Sequence, residues 1–413
     1  MLTDRGRWAL ALGGATYLAG WAFGSKALYP IALGLVLAVA VAALWVRLIA
    51  KPVRLRRVVP GGEHVDGDDI PVTLQLELEG RVAPSSLVLV ERISRLGQHE
   101  TILSGRRKWL EGGYVLSSVP RGRYPIESAG VVIEDPFGLE RVELELEAAG
   151  ALLVYPRLVD LDGLFSESGS RMHEGRRLLL RRQSGFDLHS VRDYEQGESL
   201  RRVHWPSTAK RGHLMVKELE DAPRDEVLVL LDADASVVTG TPPESSFEVA
   251  LRAAGSIVRS HARRGRRAGL FINGMRPRYQ AVHSLEGDWS LALELLAAAE
   301  PDGIYPAAAL LAEGAGVAVR ALELTVVTSA LSGRLVDRLL QRAATRRGTA
   351  VVYVDPSSFA DRPERPRGSR PPADGQVQLT RLARAGIPVA ALRRGDDLAE
   401  KLGPAVLTGE AVG

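Results

Sequence analysis

The first fifty residues constrain this chain more than any other part of it. Trp8 to Ser25 and Ala27 to Val46 are uncharged runs of 18 and 20 residues, separated only by Lys26. As α-helices they would each be roughly 27 to 30 Å long, enough to cross the hydrocarbon layer of a bilayer. Trp8 and Trp45 would mark one end of such a hairpin, and Trp21, Phe23 and Tyr29 the other. That is the interfacial placement of aromatic rings expected for two antiparallel spans. Pro30 falls near the start of the second run, where a missing N–H costs little.

The flanking charges give the hairpin a direction. Arg5 and Arg7 precede it, Arg47, Lys51, Arg54, Arg56 and Arg57 follow it, and the turn holds one lysine. By the positive-inside rule both ends are cytoplasmic, which predicts a two-pass plasma-membrane protein anchored through residues 8–46 with its soluble part inside the cell. A cleaved signal peptide ending near Ser25–Ala27 is the alternative, and it would leave the second span and the same orientation.

Beyond the hairpin there is length for two or three domains in a chain of 413 residues. The absence of cysteine excludes disulfides, thiolate metal sites and cysteine nucleophiles. A formal charge of +3 is too small to define a polyanion-binding protein, because the basic character is local, at 47–57 and 171–217.

From 61 to 156 short alternating segments sit between Gly and Pro turns: 72–79, 86–93, 114–119, 126–134 and 151–155. This spacing predicts an antiparallel β-sandwich of Ig-like size, with no catalytic residues evident in it. A basic connector covers 157–224. From 225 to 413 apolar strands (225–232, 268–273, 322–329, 349–355, 387–392) alternate with amphipathic helices (244–264, 287–299, 332–346, 377–385). That pattern predicts a doubly wound α/β domain with a mostly parallel sheet, and 356–375 as an exposed loop.

The densest motif lies in the connector. Arg192, Tyr194, Gly197, Glu198, Arg201, Val203, Trp205, Thr208, Ala209, Lys210, Gly212, Leu214 and Val216 fit an R-x-Y-x-x-G-[DE]-x-x-R-x-[IV]-x-W-x-x-[ST]-A-[RK]-x-G-x-L-x-V run. In this the chain resembles the bacterial family known as domain of unknown function 58, or DUF58. The resemblance extends to Arg121-Gly122-Arg123-Tyr124 and Asp135-Pro136-Phe137-Gly138-Leu139, and to the paired N-terminal helices. It implies a C-terminal domain similar to von Willebrand factor type A and partnership with MoxR-type AAA+ ATPases.

Between 171 and 217 there are 11 Arg or Lys against 5 Asp or Glu, interleaved with Tyr194 and Trp205. Phosphate contacts and stacking could suit a polyanion. The mixing of Asp193, Glu195 and Glu198 among the arginines instead favours internal ion pairs, with an indole packed beneath a guanidinium, over a nucleic-acid partner. Arg192, Tyr194, Arg201, Arg202 and Trp205 are candidate partner contacts. His189, His204 and His213, at spacings of 15 and 9, lack the ligand spacing of a zinc site.

A second candidate site is Asp232-Ala-Asp234-Ala-Ser236, after the apolar run Leu228–Leu231. Ligands of doubly wound folds bind at such strand ends. A type A domain would place D-x-S-x-S there for a divalent ion such as Mg²⁺. This chain keeps Asp232 and Ser236 but has Asp234 for the first serine, and the strand ending at Ser329 lacks the aspartate that often completes the set.

D-x-D after an apolar strand also resembles the haloacid dehalogenase phosphatases. That alternative makes Asp232 the nucleophile, Asp234 the general acid, Thr328 or Ser329 the phosphate contact, and Asp396 and Asp397 the Mg²⁺ ligands. Lacking a convincing phosphate-binding lysine, it yields to a non-enzymatic, membrane-tethered adaptor working with a MoxR-type ATPase and a client protein.

Overall fold

The computed structural model describes residues 1–49, 51–59, 61–80, 84, 86–106, 108–147, 150–167, 188–193, 203, 205–219, 227–311, 321–345, 347–360 and 373–404. They fall into two compact units, Met1–Tyr155 and Pro156–Gly413.

The first unit opens with helices α1 (Asp4–Phe23) and α2 (Leu28–Leu48). The Thr3 hydroxyl caps α1 by accepting from Gly6 N at 3.1 Å, and Gly24, at φ +69°, ends it. The helices pack side by side where Gly13 lets Ala32 and Val36 approach, and Tyr17 meets Tyr29 edge-on at 5.4 Å. Among the described residues, α2 is the one helix both long and apolar enough to cross a membrane. The two expected spans are thus realised as two helices, of which one meets that requirement. Asp4, Arg5 and Arg7 open α1, and glycines dilute its apolar character.

Eight antiparallel strands follow: β1 (Lys51–Val58), β2 (Asp68–Glu79), β3 (Ser86–Ile93), β4 (Gly97–Arg106), β5 (Trp109–Val119), β6 (Gly122–Glu134), β7 (Arg141–Leu146) and β8 (Ala151–Val154). The strand order is β1-β2-β5-β4-β3-β6-β7, with β8 also on β6. This is one continuous hydrogen-bonded path, not the separable pair of sheets that an Ig-like sandwich would have. It also begins at Lys51, ten residues before the expected boundary, so basic residues assigned to a membrane flank are built into a strand.

The period of two decides what is buried. Ile70, Val72, Leu74, Leu76 and Leu78 of β2 point inward with Leu89, Leu103, Leu110 and Val131. Each such side chain contributes about 1.5 to 3 kcal/mol relative to exposure. Val46 and Ile49, at the end of α2, belong to the same core, so helix and strand domain share one apolar cluster.

The two short motifs of this unit have structural explanations. In Arg121–Tyr124 the buried Tyr124 ring folds back so that its hydroxyl donates to Pro120 O at 2.6 Å, and a Cβ on Gly122 would lie 2.8 Å from that ring. In Asp135–Leu139 the buried Asp135 carboxylate accepts from the N–H groups of Phe137, Leu139 and Glu140 at 2.9, 2.7 and 2.6 Å. The turn it holds accepts the Thr3 hydroxyl at Gly138 O, 2.6 Å away, and so seats the start of α1.

The second unit begins with residues bound to its own core. Val159 N donates to Ser256 Oγ at 3.0 Å, the Ser260 hydroxyl to Leu161 O at 3.1 Å, and Asp160 pairs with Arg259 and Arg263. This first stretch of the expected connector is therefore part of the α/β domain. Then come β9 (Leu188–Asp193), the short helix α3 (Trp205–Arg211) and β10 (Met215–Leu219), with β9 and β10 forming an antiparallel pair.

The main sheet comprises β11 (Val227–Asp232), β12 (Ala268–Asn273), β13 (Arg278–Val282), β14 (Glu323–Thr328), β15 (Gly348–Val354) and β16 (Val389–Leu392). Its order is β13-β12-β11-β14-β15-β16, parallel throughout except for β13. Helices α4 (Ser246–Arg263), α5 (Trp289–Ala297), α6 (Ala307–Leu310), α7 (Gly333–Ala344), α8 (Ala373–Arg384) and α9 (Leu398–Leu402) complete it.

All six residues of β11 are buried, and alternation divides them between two layers. Val227, Val229 and Leu231 pack with Phe247, Leu251 and Ile257 of α4, while Leu228 and Leu230 pack with Leu335, Leu339 and Leu382 on the other face. Helices on both faces of a mostly parallel sheet make this the doubly wound domain that the sequence predicts, consistent with a von Willebrand factor A-like fold.

Candidate functional site

The C-terminal edge of the main sheet gathers the second set of candidate residues. Asp232 ends β11 and is 6% exposed. Its Oδ2 accepts the Thr328 hydroxyl at 2.8 Å from the neighbouring β14, and its Oδ1 accepts Asp234 N at 3.3 Å and, more distantly, Asn273 Nδ2 at 3.5 Å. Burial pushes this carboxyl above the ordinary aspartate value, and the Thr328, Asp234 and Asn273 hydrogen bonds pull it partly back.

Three loops meet around that carboxylate. Asp234 Oδ1 accepts from Ser236 N at 2.9 Å and Ser236 Oγ at 2.7 Å, holding the turn after β11. Gly303 N donates to Ala233 O at 2.8 Å, and Gly303 O accepts from Ala235 N at 3.0 Å. A Cβ on Gly303 would lie 2.3 Å from Asn273 O, so only glycine fits between the two loops. Asn273 Nδ2 donates to Tyr305 O at 2.5 Å, and Asp302 accepts from Met275 N at 2.9 Å. The same loops leave Met275, Ile304 and Tyr305 59%, 64% and 57% exposed.

The donor set is already committed to hydrogen bonds within the protein. Both Asp232 oxygens and the Asp234 Oδ1 are engaged in hydrogen bonds, and no group of three or more His, Asp or Glu among the described residues could hold a metal. Asp396 and Asp397 serve local turns, accepting from Arg393 N and Ala399 N at 2.8 Å each. They follow β16, three strand spacings or about 14 Å across the sheet from β11, and are not brought to Asp232. Ser329 is buried beside Thr328. Asn273, Asp302 and Gly303 are contributors that sequence reasoning missed, although Asn273 is the polar residue closing an apolar strand.

Of the signature residues, Tyr194, Gly197, Glu198, Arg201, Arg202 and His204 lie outside the described residues. Arg192 is in β9, opposite Val216 of β10. Val203 and Met215 are buried at 3% and 1%, and Met215 N donates to the Thr208 hydroxyl at 3.0 Å. Lys210 is exposed in the last turn of α3, and Gly212 ends it with φ +77°. Trp205 begins α3. Its indole is 64% exposed, whereas Val203 and Met215 of the same segment are buried.

Residues 190–387 match the family model described as "Protein of unknown function DUF58". Over that segment the chain is similar to the DUF58 family. The DUF58 segment spans the β9–β10 pair and the main sheet through β15. A curated relative, "Uncharacterized protein YeaD" of Bacillus subtilis (strain 168), is 26% identical over 242 residues, 58% of this chain and 58% of its own length. The chain thus spans less than two thirds of that relative. Among solved structures, Cwp6 from Clostridium difficile aligns over 72% of this chain and 37% of its own, at 8% identity and a TM-score of 0.20, a likeness too slight to carry any argument.

Proposed function

We propose that this DUF58 protein is a membrane-tethered cytoplasmic adaptor that presents its α/β domain to a MoxR-type AAA+ ATPase and a client protein. The observation that carries this reading is the exposed Met275–Ile304–Tyr305 group on loops immobilised by Asp232, Asn273 and Gly303. Methionine and aromatic side chains are enriched at the centres of protein interfaces, and a doubly wound fold binds its partners at this strand edge. Trp205, exposed within the family signature, offers a second anchor.

The anchor in this reading is two-pass. α1 joins α2 in the bilayer, since Trp8, Leu12, Leu18 and Trp21 face outward as Leu33, Leu37 and Leu44 of α2 do. Arg5, Arg7, Arg47 and Lys51 hold both ends on the cytoplasmic side.

Co-purification from native membranes with nucleotide present tests the partnership. An AAA+ ATPase is expected with the unaltered chain and lost from Ile304→Asp/Tyr305→Ala. Recovery of no such ATPase would overturn the reading.

A further inference from the structure

The strand domain contains an interior that its own side chains do not fill. β1 and β7 are the two ends of the hydrogen-bonded path and do not pair with each other. Between them lies a cavity of about 860 Å³. Leu55, Val59, Leu146 and Leu152 line it and are only half-buried, whereas Leu74 and Leu89, in the closed part of the same core, are fully buried. Protein interiors are ordinarily packed without voids, and a space of this size is that of a small-molecule site.

Polar groups converge on this apolar space. Alternation along β1 turns Arg57 inward, where its Nε donates to Glu91 Oε1. Glu91 is 0% exposed, and its other oxygen accepts the Tyr114 hydroxyl at 2.6 Å. Both carboxylate oxygens are therefore engaged by protein groups, and the negative charge is answered from within the wall. Arg54 and Arg56, exposed and on the opposite face of β1 from Arg57, border the opening at this free edge of the sheet beside Gly61 and Gly62. Counting Glu147 with Glu91 against the three arginines, the lining carries one net positive charge before His64 is included.

We propose that this cavity binds an anionic amphiphile, a molecule with one negatively charged head and an apolar body. The body lies among Leu55, Val59, Ile126 and Leu152, and the head meets the arginines of β1. A cationic amphiphile is disfavoured because Glu91 already has its partners and Arg54 and Arg56 outnumber Glu147. β1 starts three residues after α2, which places Arg54 within about 20 Å of the helix end, so the ligand can come from the bilayer as a lipid or from solution as a free acid.

The test uses the full chain in nanodiscs of neutral phosphatidylcholine, titrated calorimetrically with octanoate, octanol and octyltrimethylammonium against empty discs. Octanoate is expected to bind saturably and about tenfold or more tighter than either control, a difference of about 1.4 kcal/mol. Leu152→Trp, which fills the cavity, should abolish binding. Arg54→Ser/Arg56→Ser changes only exposed side chains, so it keeps the test decidable if the tryptophan variant misfolds, and it should weaken octanoate about tenfold. Competition by phosphatidylglycerol in the disc assigns the bilayer as the source, and its failure to compete assigns the free acid. The proposal is overturned if octanoate does not bind saturably, if the cationic control binds as well, or if the rim variant binds octanoate unchanged.

Discussion

Thr328 donates its hydroxyl to Asp232 across 2.8 Å, from the end of one buried parallel strand to the end of its neighbour. Together with Asn273 on the other side, it makes Asp232 the point through which β11, β12 and β14 are joined at their C-terminal edge.

Removing that hydroxyl should destabilise the α/β domain. Thr328→Val keeps the shape and deletes one donor to a buried carboxylate, a change expected to cost about 1 to 3 kcal/mol. Urea unfolding of the purified chain checks it, and a loss below a few tenths would mean that the bond contributes little.

The protonation of Asp232 sets a pH dependence. Its folded value is raised by burial above the ordinary 3.8, so the favourable contribution of the protonated form is complete below that value and is lost as pH rises through the folded value. Asp232→Asn removes this loss. The stability of the natural chain relative to the Asn variant should therefore decline from about pH 4 upward. A flat difference between the two, followed by thermal unfolding across pH, would contradict the raised value.

In the strand domain, Tyr114→Phe deletes a donor to the fully buried Glu91 carboxylate. The expected cost is about 1.5 to 3 kcal/mol, as for hydrogen bonds to charged groups. Burial and the Glu91 carboxylate hold the Tyr114 hydroxyl above its ordinary value of 10.0, so its contribution is complete below pH 10.0 and the cost should be the same at pH 6 and pH 8. A double-mutant cycle with Arg57→Met would measure the coupling within the trio.

Trp205→Ala is expected to change stability by no more than about 0.5 kcal/mol, because the indole is exposed. If Trp205 is an anchor for the proposed ATPase, recovery of that ATPase should nevertheless fall. A shift of several degrees in melting temperature would show instead that the side chain packs in the folded state.

The chain has no cysteine, so single cysteines report topology without background. Lys26→Cys should react with a membrane-impermeant maleimide in intact cells, and Glu300→Cys should react only after lysis. Labelling of Glu300→Cys in intact cells would reverse the orientation proposed above.

How much of this was legible in the sequence depended on whether the signal was local. The strand at 268–273 was placed to the residue, and 86–93 likewise, because apolar runs or strict alternation identify such strands without reference to neighbours. β1 was missed because Lys51, Arg54, Arg56 and Arg57 read as a membrane flank, although their alternation with Val53 and Leu55 is that of a strand. β7 escaped too, despite the alternating Arg-Val-Glu-Leu-Glu-Leu.

Contacts across the chain were beyond reach altogether. Nothing near Glu91 announces that Arg57 and Tyr114, 34 and 23 residues away, will satisfy it. Gly303 carries no mark of the narrow gap between Asn273 and Ala233 that requires it. Asp232 was recognised for its place at a strand end, yet its role as a junction depends on Thr328, 96 residues later.

The loops tied to Asp232 bear on the thermodynamics of recognition. Immobilising a flexible side chain at an interface costs about 0.5 to 1.5 kcal/mol, and ordering a loop adds to that. Here the turn after β11, the end of β12 and the Asp302–Tyr305 loop are cross-bonded before anything arrives. Whatever docks on this edge meets a surface whose entropy was given up in folding, so its affinity is governed by shape and desolvation and not by the cost of freezing loops.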